Sequence, residues 1–198
     1  MDKIKLVAIL RGIRPAEAAE HIATLVGEGF RYIEIPLNSP DWRQSIPQMV
    51  ARFGEQAVIG AGTVLKVEQV DFLADAGAKL IVTPNTQPEV IRRAVARGMR
   101  VCAGCATATE AFSALDAGAQ WLKIFPSSAF GPDYIRALKA VLPPEVPVLA
   151  VGGVTPENLA SWVRAGCAGA GLGSDLYRAG QAVERTRQQA ERFIAASA

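Results

Sequence analysis

"VPVLAVGGVTPENLASWVRAGCAGAGLGSDL", residues 146–176, holds two apolar runs with a helix-shaped segment between them. The runs "VPVLAV" (146–151) and "AGAGLG" (168–173) are short and are followed by glycine or serine. Such runs read as buried strands. Between them Thr155 stands as an N-cap, Pro156 falls in the first helical turn and Gly166 is the stop. A first turn leaves its amides unbonded, so proline loses nothing there, while glycine accepts the left-handed end. A strand, a helix and a strand in about 30 residues form a βαβ unit, whose strands lie parallel.

The same design runs through the whole chain. Further apolar runs are "KLVAIL" (5–10), "YIEIPL" (32–37), "AVIGA" (57–61), "LIVTP" (80–84), "MRVCAG" (99–104) and "WLKIF" (121–125). The segments between them carry Ala, Leu and Val at helical spacing. "PAEAAEHIATLVGEG" (15–29) again has proline near its start and glycine past its end. Eight such units predict an α/β fold, a closed (β/α)8 barrel, as one domain over 1–198. An open doubly wound sheet is the alternative. It calls for a glycine-rich dinucleotide loop after the first strand, and "RGIRPAE" (11–17) is not one. At 198 residues the barrel is smaller than the usual ~250, so its loops must be short.

Composition removes other classes of function. Half the residues are apolar, a fifth are charged and the formal net charge is +2. No block of one sign marks a nucleic-acid or membrane surface. No apolar run approaches the roughly 20 residues of a membrane span, and the first ten residues make a poor signal peptide. A cytoplasmic protein is expected. The odd cysteine count, Cys102, Cys105 and Cys167, argues against a disulfide framework. "CAGC" (102–105) has metal-like spacing, but a zinc site needs two more ligands. His21, the only histidine, falls in a segment read as a surface helix. The cysteines therefore read as ordinary thiols, and no metal is expected.

In a barrel of this kind the reactive groups lie at the strand C-terminal ends. In order, those ends offer Arg11, Glu34 to Asn38, Gly62 and Thr63, Pro84 and Asn85, Gly104, Lys123, Gly152 and Gly153, and Gly173 and Ser174. Two of these are charges inside apolar runs. Side chains alternate along a strand. If Ile33, Ile35, Leu122 and Ile124 face the helices, Glu34 and Lys123 point into the barrel from opposite walls. A buried ion pair with a purely structural role is one reading, although such pairs stabilise weakly. The other is catalytic. Burial near Trp121 and Phe125 depresses the lysine pKa and frees its lone pair for attack on a ketone. Glu34 then moves protons. Glycines at the ends of runs seven and eight, with Ser174 where a helix begins, let backbone amides approach a phosphate.

"VAILRG", "IEIPLNSP", "IGAGTVL", "IVTPN", "LKIFPSSAFGP", "AVGGVTPENL" and "GAGLGSDLY" together resemble the bacterial 2-keto-3-deoxy-6-phosphogluconate / 6-phosphogalactonate aldolase family over essentially the whole chain. The resemblance implies a class I, metal-independent, cofactor-free lyase on a (β/α)8 barrel, trimeric and cytoplasmic. It implies that Lys123 forms the Schiff base and Glu34 is the acid/base. Arg11, Thr63 and the backbone at Pro84 and Gly104 would hold the pyruvyl end, and Gly152, Gly153, Gly173 and Ser174 the phosphate. The phosphogluconate branch has arginine where this chain has Asn38, and threonine where it has Val151. Both departures imply the phosphogalactonate branch. The implied substrate is a phosphorylated 2-keto-3-deoxy sugar acid, split to pyruvate and glyceraldehyde 3-phosphate. Cleavage of the gluconate epimer or of 4-hydroxy-2-oxoglutarate stays open. So do a phosphosugar isomerase or epimerase and a non-catalytic phosphosugar-binding barrel.

Overall fold

Each short apolar run becomes a strand because its pleated backbone finds partners on both sides and its side chains find cover on both faces. The computed structural model describes residues 4–198. In chain order it contains β1 (Lys5–Ile9), α1 (Pro15–Gly27), β2 (Tyr32–Pro36), α2 (Trp42–Phe53), β3 (Val58–Gly62), α3 (Val67–Asp75), β4 (Leu80–Val82) and α4 (Pro88–Ala96). There follow β5 (Arg100–Cys105), α5 (Ala108–Asp116), β6 (Trp121–Ile124), α6 (Ser127–Lys139), β7 (Val148–Val151), α7 (Leu159–Arg164), β8 (Gly169–Leu172) and α8 (Val183–Ala196). Every neighbouring pair of strands is parallel, and β1 pairs with β8 to close the barrel in the order β1 to β8. The fold is the expected single (β/α)8 domain. Among the described residues no helix is long and apolar enough to cross a membrane.

The two faces of the sheet bury different sets. Leu6, Ala8, Ile33, Ile35, Ile59, Ile81, Val101, Leu122 and Ile124 pack outward against the helices. Val7, Ile9, Leu80, Val82, Cys102, Trp121, Leu149 and Val151 fill the barrel. Burying an Ile or Leu fully is worth about 1.5–3 kcal/mol, so the outward set fixes which residues must point in. This parity carries Glu34 and Lys123 inside.

Two sequence readings need correction. His21 is not on a surface. It lies on the buried face of α1, 2% exposed, bonded through Nδ1 to Thr186 Oγ1 of α8 at 2.8 Å. The α1 pattern marks an inward face but does not say which neighbour packs there. The helix in 153–166 is also shorter than its signals imply, since α7 begins at Leu159. Thr155 instead caps the turn before it. Its amide donates to Asn158 Oδ1 at 2.8 Å, and its Oγ1 accepts from the Asn158 amide at 3.3 Å.

Candidate active site

The strand register brings the two charges into the barrel mouth with small neighbours beside them. Lys123 on β6 pairs with Gly104 on β5 and Leu149 on β7. Glu34 on β2 pairs with Gly60 on β3. A Cβ on Gly62 would fall 2.3 Å from both carboxylate oxygens of Glu34, so only glycine leaves that carboxylate its place. Lys123 is 6% exposed and Glu34 2%. Glu34 Oε2 is buried with no hydrogen-bond partner. Its carboxyl is pushed up from 4.5 to about 7 by burial, against the pull of Lys123 and Arg11. Burial lowers the Lys123 pKa and Arg11 lowers it further, while Glu34 and Cys102 act the other way. The two partners thus have displaced titrations, the condition for proton transfer near neutral pH.

Phe125 differs from its expected place. The residue is 42% exposed, with its ring centre 4.9 Å from Lys123 Nζ. It shields the amine from the rim. Trp121, 4% exposed, lies within the barrel on the same face of β6.

The remaining expected residues gather at the same end. Arg11 and Asn38 are exposed on the rim, and Arg11 donates to Asn38 Oδ1 at 2.8 Å. Thr63 has φ of 56°, a conformation that β-branched residues avoid and that clusters at functional sites. Pro84 and Gly104 touch: a Cβ on Gly104 would meet the Pro84 carbonyl carbon at 2.4 Å. Thr83 Oγ1 accepts from the Gly104 amide at 3.1 Å and donates to the Asn85 carbonyl at 2.7 Å. Val151 lies in the interior set, packed over Gly171, where a Cβ would meet Val151 Cγ2 at 2.9 Å. Gly152 and Gly153 have φ of 98° and 73°, and the Gly173 carbonyl accepts from the amides of Leu176 and Tyr177. Ser174 is exposed beside them and opens a turn rather than the expected helix, since α8 starts only at Val183.

One residue escaped the sequence reading. Ser127, fully buried, donates to the Ile124 carbonyl at 2.7 Å and accepts from the Val151 amide at 3.0 Å. It ties the lysine strand to the wall that carries Val151. The run "FPSSAF" shows the hydroxyl but not its partner 24 residues away. Cys102 faces inward and Cys105 outward, as three residues along a strand require. The C-x-x-C pair therefore cannot converge. Burial pushes both thiols up to about 12. Among the described residues no three His, Cys, Asp or Glu side chains form a metal-holding group.

A (β/α)8 barrel with an amine and a carboxylate in its mouth is the frame of a carbonyl-handling enzyme, and this protein is an aldolase, a carbon–carbon lyase. It belongs to the KDPG and KHG aldolase family, whose model matches residues 1–191. The 2-dehydro-3-deoxy-6-phosphogalactonate aldolase of Escherichia coli strain K12 is 70% identical over 194 residues, covering 98% of this chain and 95% of the relative. The solved structure of native KDPGal is 69% identical with a TM-score of 0.97, covering 99% of this chain and 95% of its own. A cube-shaped, highly porous protein cage, designed by fusing symmetric oligomeric domains, contains a chain 70% identical with a TM-score of 0.97. The match covers 98% of this chain and 72% of that chain.

Proposed function

We propose that the protein is a class I aldolase that reversibly cleaves 2-dehydro-3-deoxy-6-phosphogalactonate to pyruvate and D-glyceraldehyde 3-phosphate. The observation that carries this reading is the buried amine of Lys123 sharing the barrel mouth with the buried, partnerless carboxylate oxygen of Glu34. The relative named for that substrate supports the choice among epimers.

Lys123 attacks C2 of the keto acid and, with loss of water, gives a protonated imine. The imine is an electron sink, so the C3–C4 bond can break once the C4 hydroxyl gives up its proton. Glu34 takes that proton, directly or through water. The aldehyde leaves, the enamine is protonated at C3, and hydrolysis returns pyruvate and the free amine. Arg11, held by Asn38, meets the substrate carboxylate, with Thr63 and the backbone at Pro84 and Gly104 around the pyruvyl group. Gly152, Gly153, Gly173 and Ser174 hold the phosphate through backbone amides. No metal or cofactor takes part. The enzyme acts in the cytoplasm, in galactonate breakdown, as a homotrimer. The symmetric oligomeric domains of the cage support an oligomer, and sedimentation as a monomer would refute it.

The decisive experiment is borohydride reduction in the presence of pyruvate, followed by peptide mass mapping. The expected result is inactivation with one adduct, at Lys123. An adduct at Lys79 or Lys139 alone, or none, would remove the Schiff-base assignment.

A further inference from the structure

The loop after β8 is clamped by three side chains that follow it in the chain. Arg178 Nε donates to the Ser174 carbonyl at 3.0 Å, Gln189 Nε2 to the Asp175 carbonyl, and Gln181 Nε2 to the Leu176 carbonyl at 3.0 Å. Three successive carbonyls thus take side-chain donors. In a trans peptide the N–H points opposite to the C=O. Fixing these carbonyls therefore fixes the amides of Asp175, Leu176 and Tyr177, each of which shares a peptide with one of them. Those of Leu176 and Tyr177 close on the Gly173 carbonyl, both at 2.9 Å. The Gly173 carbonyl shares its peptide with the Ser174 amide, so the clamps hold that amide as well as the Asp175 amide at the start of the turn.

Gln181 is the most constrained of the three clamps. Its Oε1 accepts from the Arg178 amide at 3.0 Å, and its Nε2 also donates to Thr186 Oγ1 at 2.7 Å. An amide N–H can only donate and a carbonyl can only accept, so the side-chain orientation is unambiguous and both its protons are used. Thr186, fully buried, passes the connection to His21 Nδ1 at 2.8 Å, and the His21 ring meets Tyr177 edge-on at 5.0 Å. The loop is thereby tied to α8 and α1 through a buried chain that no proposed catalytic step uses.

We propose that Gln181 is a positioning residue for phosphate recognition. It sets the Leu176 carbonyl and so, through the Tyr177 amide on the Gly173 carbonyl, the Ser174 amide, and Thr186 and His21 hold it in place. The inference rests on the phosphate reading above. A purely structural bond network would alter every step when cut. A positioning role alters only what the phosphate senses.

The test measures three quantities for wild type, Gln181→Leu and Thr186→Val. They are steady-state cleavage of the phosphorylated substrate, competitive inhibition by inorganic phosphate, and borohydride trapping of the pyruvate imine. For Gln181→Leu, KM and the phosphate inhibition constant should rise about tenfold, as expected for lost hydrogen bonds at a rigid contact. The kcat and the pyruvate-trapping rate should stay within about twofold. Thr186→Val, nearly the same shape and gentler on folding, should move the same two constants by a smaller factor. Unchanged KM and phosphate inhibition in both variants, or pyruvate trapping that falls in parallel, overturns the inference alone. Absence of phosphate competition in the wild type overturns the phosphate reading itself, and the inference with it.

Discussion

Two residues along a strand separate the two ends of this barrel. The inward positions on β2 are Tyr32 and then Glu34, and on β6 Trp121 and then Lys123. At the N-terminal end Tyr32 and Trp121 meet edge to face with centroids 4.9 Å apart. Arg100, exposed, lies 4.9 Å from the centre of the Trp121 ring and donates to the Tyr32 hydroxyl at 3.2 Å. Its charge keeps its water and gains two π faces. At the C-terminal end Glu34 and Lys123 are buried, and one Glu34 carboxylate oxygen has no hydrogen bond. One end satisfies the polar groups it holds and the other leaves a buried carboxylate oxygen unsatisfied. Unsatisfied charge shifts pKa values and costs stability, so reactivity belongs to the second end.

The sharpest way to break this contrast is Glu34→Gln. Turnover should fall by roughly 10²–10⁴, the range for a positioned acid–base group, while pyruvate still traps on Lys123. In the proposed mechanism cleavage needs Glu34 as carboxylate and Lys123 as amine, and both are favoured as pH rises. The wild-type kcat/KM should therefore fall below the Glu34 titration at about 7, and that limb should vanish in the mutant. The pair titrates together, so the limb is the pair's. Stability should move oppositely. The Glu34 carboxyl binds its proton more tightly folded than unfolded, so its contribution is full below 4.5 and lost as pH rises to about 7. Melting temperature should decline across that window in the wild type more than in Glu34→Gln. Near-normal turnover in a folded mutant would show that another group moves the proton.

A smaller effect is expected at the wall beside the lysine. Val151 has nearly the shape of threonine but offers no hydroxyl partner. A neutral hydrogen bond is worth ~0.5–1.5 kcal/mol, or more when the group would otherwise be buried unpaired. Val151→Thr should raise relative kcat/KM for the gluconate epimer several-fold. The ratio for the two C4 epimers, in both proteins, is the measurement. An unmoved ratio would shift discrimination to Asn38 or to Ser127 and Ser128.

The contrast between the ends was legible in the sequence to an instructive extent. Alternation in "YIEIP" and "WLKI" was enough to send Glu34 and Lys123 inward, because four isoleucine or leucine side chains compete for the helix-facing side. Strand positions followed from the same runs, with ends displaced by no more than two residues, as at Val146 against Val148. Long-range pairings were not legible. Nothing local in α1 announces that His21 meets Thr186, 165 residues away. Nor does "FPSSAF" show that Ser127 reaches Val151. Phe125 obeyed the parity and still remained 42% exposed, because alternation sets direction while depth depends on where the barrel stops.

The smallest expected effect lies at the satisfied end. Arg100→Gln removes the guanidinium from Trp121 and Tyr32, and removes the donor to the Tyr32 hydroxyl. An exposed cation–π contact is worth about 0.5–1 kcal/mol, so stability should drop by that order and no more. Arg100→Lys should drop less, because an ammonium keeps the charge over the rings but loses the flat stack. Neither variant should change kcat/KM by more than about twofold, since Trp121 keeps its burial and Lys123 its surroundings. Denaturant melts and steady-state assays on the three proteins measure both quantities. The contrast breaks if Arg100→Gln lowers kcat/KM tenfold or more while stability stays put. The aromatic end would then be setting the lysine's protonation through Trp121, and the barrel would work as one electrostatic unit rather than as two.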